Sequence, residues 1–337
     1  MTGLASSVQS ESERIRNDII RRFLETPDAY ISGQALADPL GMTRTAVWKH
    51  INALEDMGFK FASATRLGYR LVAVPDILMQ PLVAPHLLET GQIGRWIHWF
   101  AEVDSTNRVA AQALLHGAEH GTVVSAATQT GGRGRRGRTW FSSQNGLWMS
   151  IILKRPIPLF RAAELTLLTS VAVRRSIQAL TGLDVDIKWP NDLLCNGRKV
   201  CGILAEIRAD GENVQHAVLG IGVNTNIHPD EFPESLRSVA TSLYAETSAR
   251  VSHCVFAARI FAELEPMFDE LAAGGLGFKR VHAEWVEASA TIGRRIRVQT
   301  QQTVLEGIAQ ALDVAGVLHL QQDDGSVVPI HSGDVLF

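Results

Sequence analysis

The chain is poor in cysteine. Three thiols, Cys195, Cys201 and Cys254, are spread over 337 residues. They are too few and too scattered for a disulfide framework or a zinc site. They read as small buried hydrophobes in a reducing compartment. Long apolar runs are missing too: none approaches the roughly 18 residues that suggest a membrane span, so no membrane partner is expected. The first residues carry charges at Glu11, Glu13, Arg14 and Arg16, with no apolar stretch of the signal-peptide kind. A cytoplasmic protein is expected. An excess of positive charge is also absent. The net charge is −3, so any contact with nucleic acid has to be local. No internal repeat or low-complexity tract is present.

What remains is an ordinary globular composition, 46% apolar and 20% charged, in a chain long enough for two or three domains. Residues 1–10 are polar and Ser-rich and are expected to be disordered. The spacing of Ile15, Ile19, Ile20, Phe23 and Leu24 predicts a helix from Glu11 to Glu25, ended by Pro27. Ser32 caps a short second helix. Thr43 caps a third, running to about Met57, with Val47, Ile51 and Leu54 as its buried stripe. Two strands, Phe59–Ser63 and Tyr69–Val74, complete a winged helix-turn-helix. Arg44, Thr45, Trp48 and Lys49 fall where such a recognition helix meets base edges. Arg66 and Arg70 on the wing are placed for phosphates or the minor groove. Residues 1–80 carry nine Lys/Arg and nine Asp/Glu, so DNA binding would depend on placement and dimerisation rather than on bulk charge. A trihelical module for protein contact is the alternative.

Pro75, Pro81 and Pro85 mark a linker. Beyond it a mixed α/β region alternates strands (Trp96–Glu102, Gly121–Gln129, Leu147–Leu153, Val185–Trp189, Lys199–Ile207, Val214–Asn224) with helices after Asp104, over 161–180 and over 251–271, the last expected to kink at Pro266. An edge strand near Val218–Val223 would offer sheet-to-sheet dimerisation. Five short strands after Thr291 suggest a small SH3-like β-barrel.

The most unusual stretch is Gly131-Gly132-Arg133-Gly134-Arg135-Arg136-Gly137-Arg138, between Gln129 and Trp140. Its glycines let backbone N–H groups approach a ligand, and its arginines suit carboxylate and phosphate oxygens. Like charges and glycine entropy predict a loop that is mobile when empty. It has neither the Gly-Lys-Ser/Thr ending of a Walker loop nor a dinucleotide fingerprint. Lys188-Trp189-Pro190-Asn191-Asp192 adds an amide and a carboxylate after a stiff turn, and Lys199 starts the next strand. Asp192 beside an anion-binding loop is a candidate Mg²⁺ or ribose contact; Lys199 is a candidate to neutralise charge on an activated carboxylate. Taken singly, each is equally well a turn-former or a solvated strand end.

As an ordered set, Ser105-Thr106-Asn107, Gln129 with Gly132–Arg138 and Trp140, Lys188–Asp192, and Arg198-Lys199-Val200-Cys201-Gly202-Ile203-Leu204 resemble the biotin–protein ligases. With the winged helix in front, the whole chain is similar to their bifunctional subgroup, the biotin operon repressors. The resemblance implies an α/β multidomain fold: a winged helix-turn-helix over 1–78, a class II synthetase-like catalytic domain over 79–288, and an SH3-like barrel over 289–337. It also implies the reaction. Biotin and MgATP give biotinyl-5′-AMP and pyrophosphate; a lysine of a biotin carrier domain, such as that of acetyl-CoA carboxylase, then takes the biotinyl group. The adenylate-bound homodimer would bind operator DNA, with the adenylate as corepressor. By the same resemblance Ser105, Thr106, Asn107, Gln129, Arg133 and Gly134 hold biotin, and Arg135 and Lys199 address its carboxylate and the adenylate phosphate. Trp140, Asn191, Asp192 and Asn224 serve the nucleotide, Asp192 also on the Mg²⁺ side. Arg135, Lys199 and Asp192 are the expected catalytic set. Two departures stand out: Gly131, expected to loosen the loop, and an Asp313–Gly316 turn. A ligand-sensing transcription factor without ligase activity, and an acyltransferase acting on lipoate or octanoate, remain the alternatives.

Overall fold

The computed structural model describes residues 10–300 and 303–336; the expectation of disorder over residues 1–10 falls, except for Ser10, outside them. Helix α1 (Glu11–Glu25) begins where Ser10 Oγ accepts the Glu13 amide, with Glu11 and Glu13 in the first turn where the helix dipole favours them. Helices α2 (Gly33–Ala37) and α3 (Arg44–Asp56) are capped by Ser32 and Thr43 as expected. Ile19, Ile20, Phe23, Val47, Ile51 and Leu54 form a small core closed by the hairpin β1 (Lys60–Ala64) and β2 (Gly68–Ala73).

Residues 75–85 are not a free linker. Pro81 sits in the first turn of α4 (Gln80–Val83), where a missing N–H costs nothing. Met79 enters the winged-helix core, Leu78 and Val83 enter the central core, and Leu82 packs against both. Asp76 Oδ1 accepts the His253 amide at 2.8 Å. A second tie lies further along: the Glu13 carboxylate is 3.1 Å from Nδ1 of the buried His98.

The central domain is one eight-stranded sheet made of β3 (Ile97–Val103), β4 (Val123–Gln129), β5 (Leu147–Leu153), β6 (Ile157–Pro158), β7 (Asp186–Lys188), β8 (Asp192–Cys195), β9 (Arg198–Asp210) and β10 (Asn213–Val223). The order is β3-β4-β5-β10-β9-β8-β7, with β6 on the end of β10. Among the described residues β3 and β4 are its one parallel pair, joined by the crossover helix α5 (Thr106–Leu115). Val124, Ile152 and Val218 pack under α5, while their neighbours Val123, Ile151 and Leu219 turn to the main core, the two-residue period of a sheet covered on both faces. The main core is completed by α6 (Glu164–Thr181), α8 (His253–Ala272) and α9 (Phe278–Glu287), with the short α7 (Leu243–Thr247) at the β10 end. Helix α8 runs on through Pro266. The expectation of an edge strand at Val218–Val223 fails: β10 is hydrogen-bonded to β5 on one side and β9 on the other, which is where a near-continuous apolar run belongs.

The C-terminal strands β11 (Arg295–Gln299), β12 (Val304–Leu312), β13 (Leu318–Gln321), β14 (Val327–Ile330) and β15 (Asp334–Leu336) form an antiparallel five-stranded sheet in the order β14-β13-β12-β11-β15. Its inward residues Ile296, Val298, Leu312, Leu318 and Leu320 belong to the same continuous core as α6 and α9. The Asp313–Gly316 turn has a clear role here: Gly316 O accepts the Trp189 indole N–H at 3.2 Å and so steadies the Lys188–Asp192 segment. No helix among the described residues is long and apolar enough to cross a membrane.

Candidate active site

The site is assembled where strands end. Strand β3 delivers Ser105, Thr106 and Asn107 at the mouth of α5. Ser105 occupies the cap position, but its hydroxyl makes no capping bond; its amide is instead taken by Asp104 Oδ1 at 2.7 Å. Strand β4 ends at Gln129, whose Oε1 accepts the Thr106 amide at 2.8 Å and whose Nε2 donates to Ser142 Oγ at 2.8 Å. Ser150 Oγ lies 2.6 Å from Asn107 Oδ1 and 2.8 Å from Thr106 Oγ1. Asn107 Nδ2 donates to Glu206 Oε2 at 2.7 Å. Each member of this buried network fixes the orientation of the next.

The glycine-arginine segment is a tight hairpin rather than an open coil. Thr130 and Gly131 amides bond Val103 O (2.9 Å) and Asp104 O (2.8 Å), Gly134 N bonds Arg138 O at 2.7 Å, and Trp140 N bonds Gly132 O at 2.9 Å. Gly131, expected to loosen the loop, is thus pinned. The loop's charges are matched by the barrel. Arg135 donates to Gly333 O (3.1 Å) and Ser332 Oγ (3.0 Å), Arg136 to Gln299 O (2.7 Å) and Thr300 O (2.5 Å), and Arg138 to Asp334 Oδ2 (2.6 Å).

Opposite the hairpin, Lys199 Nζ is 2.7 Å from Asp192 Oδ1 and 4.9 Å from the Trp140 ring centre. Asn191 donates to Ile203 O at 3.0 Å and faces Arg135. The indole of Trp140 lies on Gly202 and Gly222, which are directly opposed in the β9–β10 register. A Cβ at Gly202 or Gly222 would sit 2.7 or 2.8 Å from it. Burial draws the Arg135 guanidinium below its ordinary value, against the opposing charges of Asp334 and Asp192; burial lowers Lys188 in the same way. Four cations (Arg133, Arg135, Arg138, Lys199) and two carboxylates (Asp192, Asp334) line the cleft, a net positive surface suited to a polyanion.

Ser105, Thr106, Asn107, Gln129, Arg133, Gly134, Arg135, Trp140, Asn191, Asp192 and Lys199 all line this one cleft. Asn224 does not. It is 4% exposed, and its amide is committed to Thr241 O (2.9 Å) and Lys199 O (3.4 Å), so it steadies the Lys199 backbone from behind. Sequence reasoning missed Gly202, Gly220 and Gly222, although the Gly220-Ile221-Gly222 alternation signals a bare sheet face. It also missed Asp334, for which no local signal exists. Among the described residues no group of three or more His, Cys, Asp or Glu could hold a metal ion. Asp192 is a single carboxylate in the cleft, 2.7 Å from Lys199 Nζ.

On the winged domain Arg44, Thr45, Trp48 and Lys49 are exposed together on α3, and Arg66 is exposed at the wing tip with φ +70°. Arg70 lies over the Tyr30 ring at 5.3 Å.

Residues 99–224 match the sequence profile of the Biotin/lipoate A/B protein ligase family, residues 15–70 an HTH domain, and residues 291–337 the Biotin protein ligase C terminal domain. The bifunctional ligase/repressor BirA of Bacillus spizizenii is 37% identical over 95% of this chain and 98% of its own. The chain belongs to the biotin protein ligase family. The Escherichia coli bifunctional ligase/repressor BirA is 29% identical over 90% of this chain and 92% of its own. In fold, the chain is similar to the biotin protein ligase of Aquifex aeolicus solved with biotin and ATP, at TM-score 0.62 and 24% identity, covering 72% of this chain and 98% of that one.

Proposed function

We propose that this chain activates biotin with ATP and transfers it to a lysine of a biotin carrier domain, and that its winged domain binds operator DNA in response to the adenylate. The observation that carries the ligase reading is convergence: four strands, β3, β4, β8 and β9, and one loop bring an amide-hydroxyl pocket, Arg135, Lys199 and Asp192 to a single cleft. In the first step a biotin carboxylate oxygen attacks the α-phosphorus of ATP and pyrophosphate leaves. Arg135 and Lys199 offset the repulsion between the two anions, and Asp192 would hold the magnesium that enters with the nucleotide. In the second step the acceptor lysine amine attacks the acyl carbon and AMP leaves. No covalent nucleophile is needed from this chain; the Gln129–Thr106–Asn107 network orients the biotin ring, and the hairpin shields the anhydride from water.

The relatives' names and the C-terminal profile favour biotin over lipoate as substrate. The exposed Arg44, Thr45, Trp48 and Lys49 favour DNA contact over a protein-docking role, with a homodimer formed on the adenylate as the repressing species. Three buried free thiols fit a cytoplasmic location. The test is incubation with biotin, ATP, Mg²⁺ and an apo carrier domain. A biotinylated lysine is the expected product, and its absence would sink the ligase reading. Operator binding that strengthens with the adenylate and weakens steeply with salt is expected for repression; indifference to the adenylate would contradict it.

A further inference from the structure

A carboxylate outside the cleft touches the pocket network. Glu206 lies on β9, exposed to solvent, and is not among the residues that line the cavity with Lys199 and Asp192. Its Oε2 accepts from Nδ2 of the buried Asn107 at 2.7 Å, and Leu204 O, from the same strand, lies 3.4 Å from that nitrogen. A carboxylate only accepts, so it admits one orientation of the Asn107 amide, with Oδ1 turned to Ser150. The backbone of Gly220 seats the amide there, since a Cβ at that position would collide with it. We infer that Glu206 is a positioning residue for the acid substrate. It fixes which way the hydrogen-bond chain Glu206–Asn107–Ser150–Thr106 runs, and so what Thr106 offers to the cleft. That the substrate is biotin rests on the ligase reading; the direction of the chain does not.

The direction follows from counting protons. Ser150 has one hydroxyl proton and two neighbours, Asn107 Oδ1 at 2.6 Å and Thr106 Oγ1 at 2.8 Å. Asn107 Oδ1 has no proton to give, so it takes the one from Ser150. Thr106 has one, and completes the second contact by donating it to Ser150. Gln129 Oε1, 3.2 Å from Thr106 Oγ1, is left to the Thr106 amide, which holds it at 2.8 Å. With its proton spent, Thr106 Oγ1 meets a ligand in the cleft with lone pairs only. It therefore takes an N–H, such as one from the ureido ring of biotin, and disfavours an oxygen in that place. Without Glu206 the amide keeps only the long Leu204 contact and is free to turn over. Nδ2 then donates to Ser150, the Ser150 proton passes to Thr106, and Thr106 becomes a donor toward the cleft.

The test uses the full chain as wild type, E206A, E206Q and S150A. Pyrophosphate release is measured with biotin and MgATP, without a carrier domain. E206A should raise KM for biotin about tenfold, the effect of one charge-assisted hydrogen bond, with kcat and KM for ATP changed by less than about twofold. E206Q, equally neutral but with an oxygen that still accepts from Asn107, should stay within about threefold of wild type. Equal losses in E206A and E206Q would assign the effect to charge and overturn the proposal, as would a fall in kcat and a rise in both KM values together, which marks a general loss of structure. The direction of the chain is read with the two cyclic carbamates in which one ureido N–H of biotin is replaced by oxygen. The preference of wild type for biotin over the carbamate it accepts less well should shrink about tenfold in E206A and in S150A. An unchanged preference in either folded variant would overturn the assignment, and S150A decides should E206A fail to fold. NMR of protein labelled with 15N-asparagine gives a readout that needs no substrate: the Asn107 side-chain amide protons should exchange with solvent about tenfold faster in E206A than in wild type or E206Q. Equal exchange would overturn the proposal. A wild type that releases no pyrophosphate would count against the ligase reading alone, since amide exchange still decides the orientation.

Discussion

At Lys199 a single ammonium is held from two sides, by the Asp192 carboxylate and by the face of Trp140. Its backbone is fixed as well, through Val239 O, Thr241 N and the Asn224 amide. A charge so pre-placed loses little on reorganisation when a second anion arrives. Lys199→Gln should therefore slow pyrophosphate release by about 100-fold with biotin affinity reduced far less; equal losses in both would contradict a role in the activation step. Glu246 supports the same segment from outside, accepting from Thr241, Asn196 and Arg198. Burial alone would raise its carboxyl, but those hydrogen bonds and the Arg198 charge outweigh it and hold the group below its ordinary value. A depressed carboxylate stabilises the fold above its unfolded value and loses that contribution as pH falls through the folded one. Glu246→Gln should cost about 1–2 kcal/mol at pH 7, with the gap to wild type closing as the medium is acidified below about pH 4; urea unfolding at both pH values checks it. Lys199 and Asp192 were legible in the sequence because a motif carries them. That the Asn224 amide meets backbone carbonyls and lies outside the cleft was not legible, because the sequence cannot say which neighbours a buried amide takes.

The sheet glycines show what an element contributes beyond its side chains. Gly202 and Gly222 form an opposed bare pair on which the Trp140 indole rests, edge-on to Trp148 at 6.2 Å. Gly222→Ala should push the indole off the sheet at about 1–3 kcal/mol, raise KM for ATP, and alter the tryptophan emission spectrum on ATP binding; an unaltered spectrum would show that the indole does not depend on the notch. Elements bounded by caps were the most legible: Ser32 and Thr43 gave their helices to within a residue. Strand β8 was missed because four residues, Asp192–Cys195, are too few to establish a period. Helix α9 was missed although Phe278, Val281 and Trp285 share one face, since ten residues between a glycine-rich turn and the barrel give only two or three repeats of the pattern. The 75–85 segment was taken for a linker because proline was weighed as a breaker, when Pro81 sits where a helix begins.

At the scale of the whole molecule, among the described residues, the barrel shows no core separate from that of the central domain. The winged domain has its own, whereas the barrel's inward residues continue the core under α6 and α9. Calorimetry should therefore resolve a small transition for the winged domain and one larger transition for everything else. Removing residues 289–337 should abolish folding of the central domain, because Leu312, Leu318 and Leu320 leave with the barrel; an active truncated chain would refute the shared core. The winged domain is nonetheless fastened, by Met79 and Leu82 and by the Glu13–His98 contact. Glu13→Gln should leave biotin transfer intact and shrink the adenylate-dependent gain in operator affinity by roughly threefold to tenfold, on the scale of one partly buried pair; an unchanged gain would show that this contact carries no coupling.

Strand β3 meets the winged helix at His98, and beyond its other end, six residues on, come Asp104 and Ser105 at the cleft. Its pairing with β4 runs unbroken in register from Ile97 opposite Val123 to Val103 opposite Gln129, with a bridge gap only at Ala101. Side chains on a strand alternate between faces, so with one residue inserted or deleted between them His98 could keep its place beside Glu13 or Ser105 its place at the cleft, but not both. The two ends are inherited as a unit. Point substitutions can tune the two ends separately, but no one-residue change in the length of this strand can preserve both.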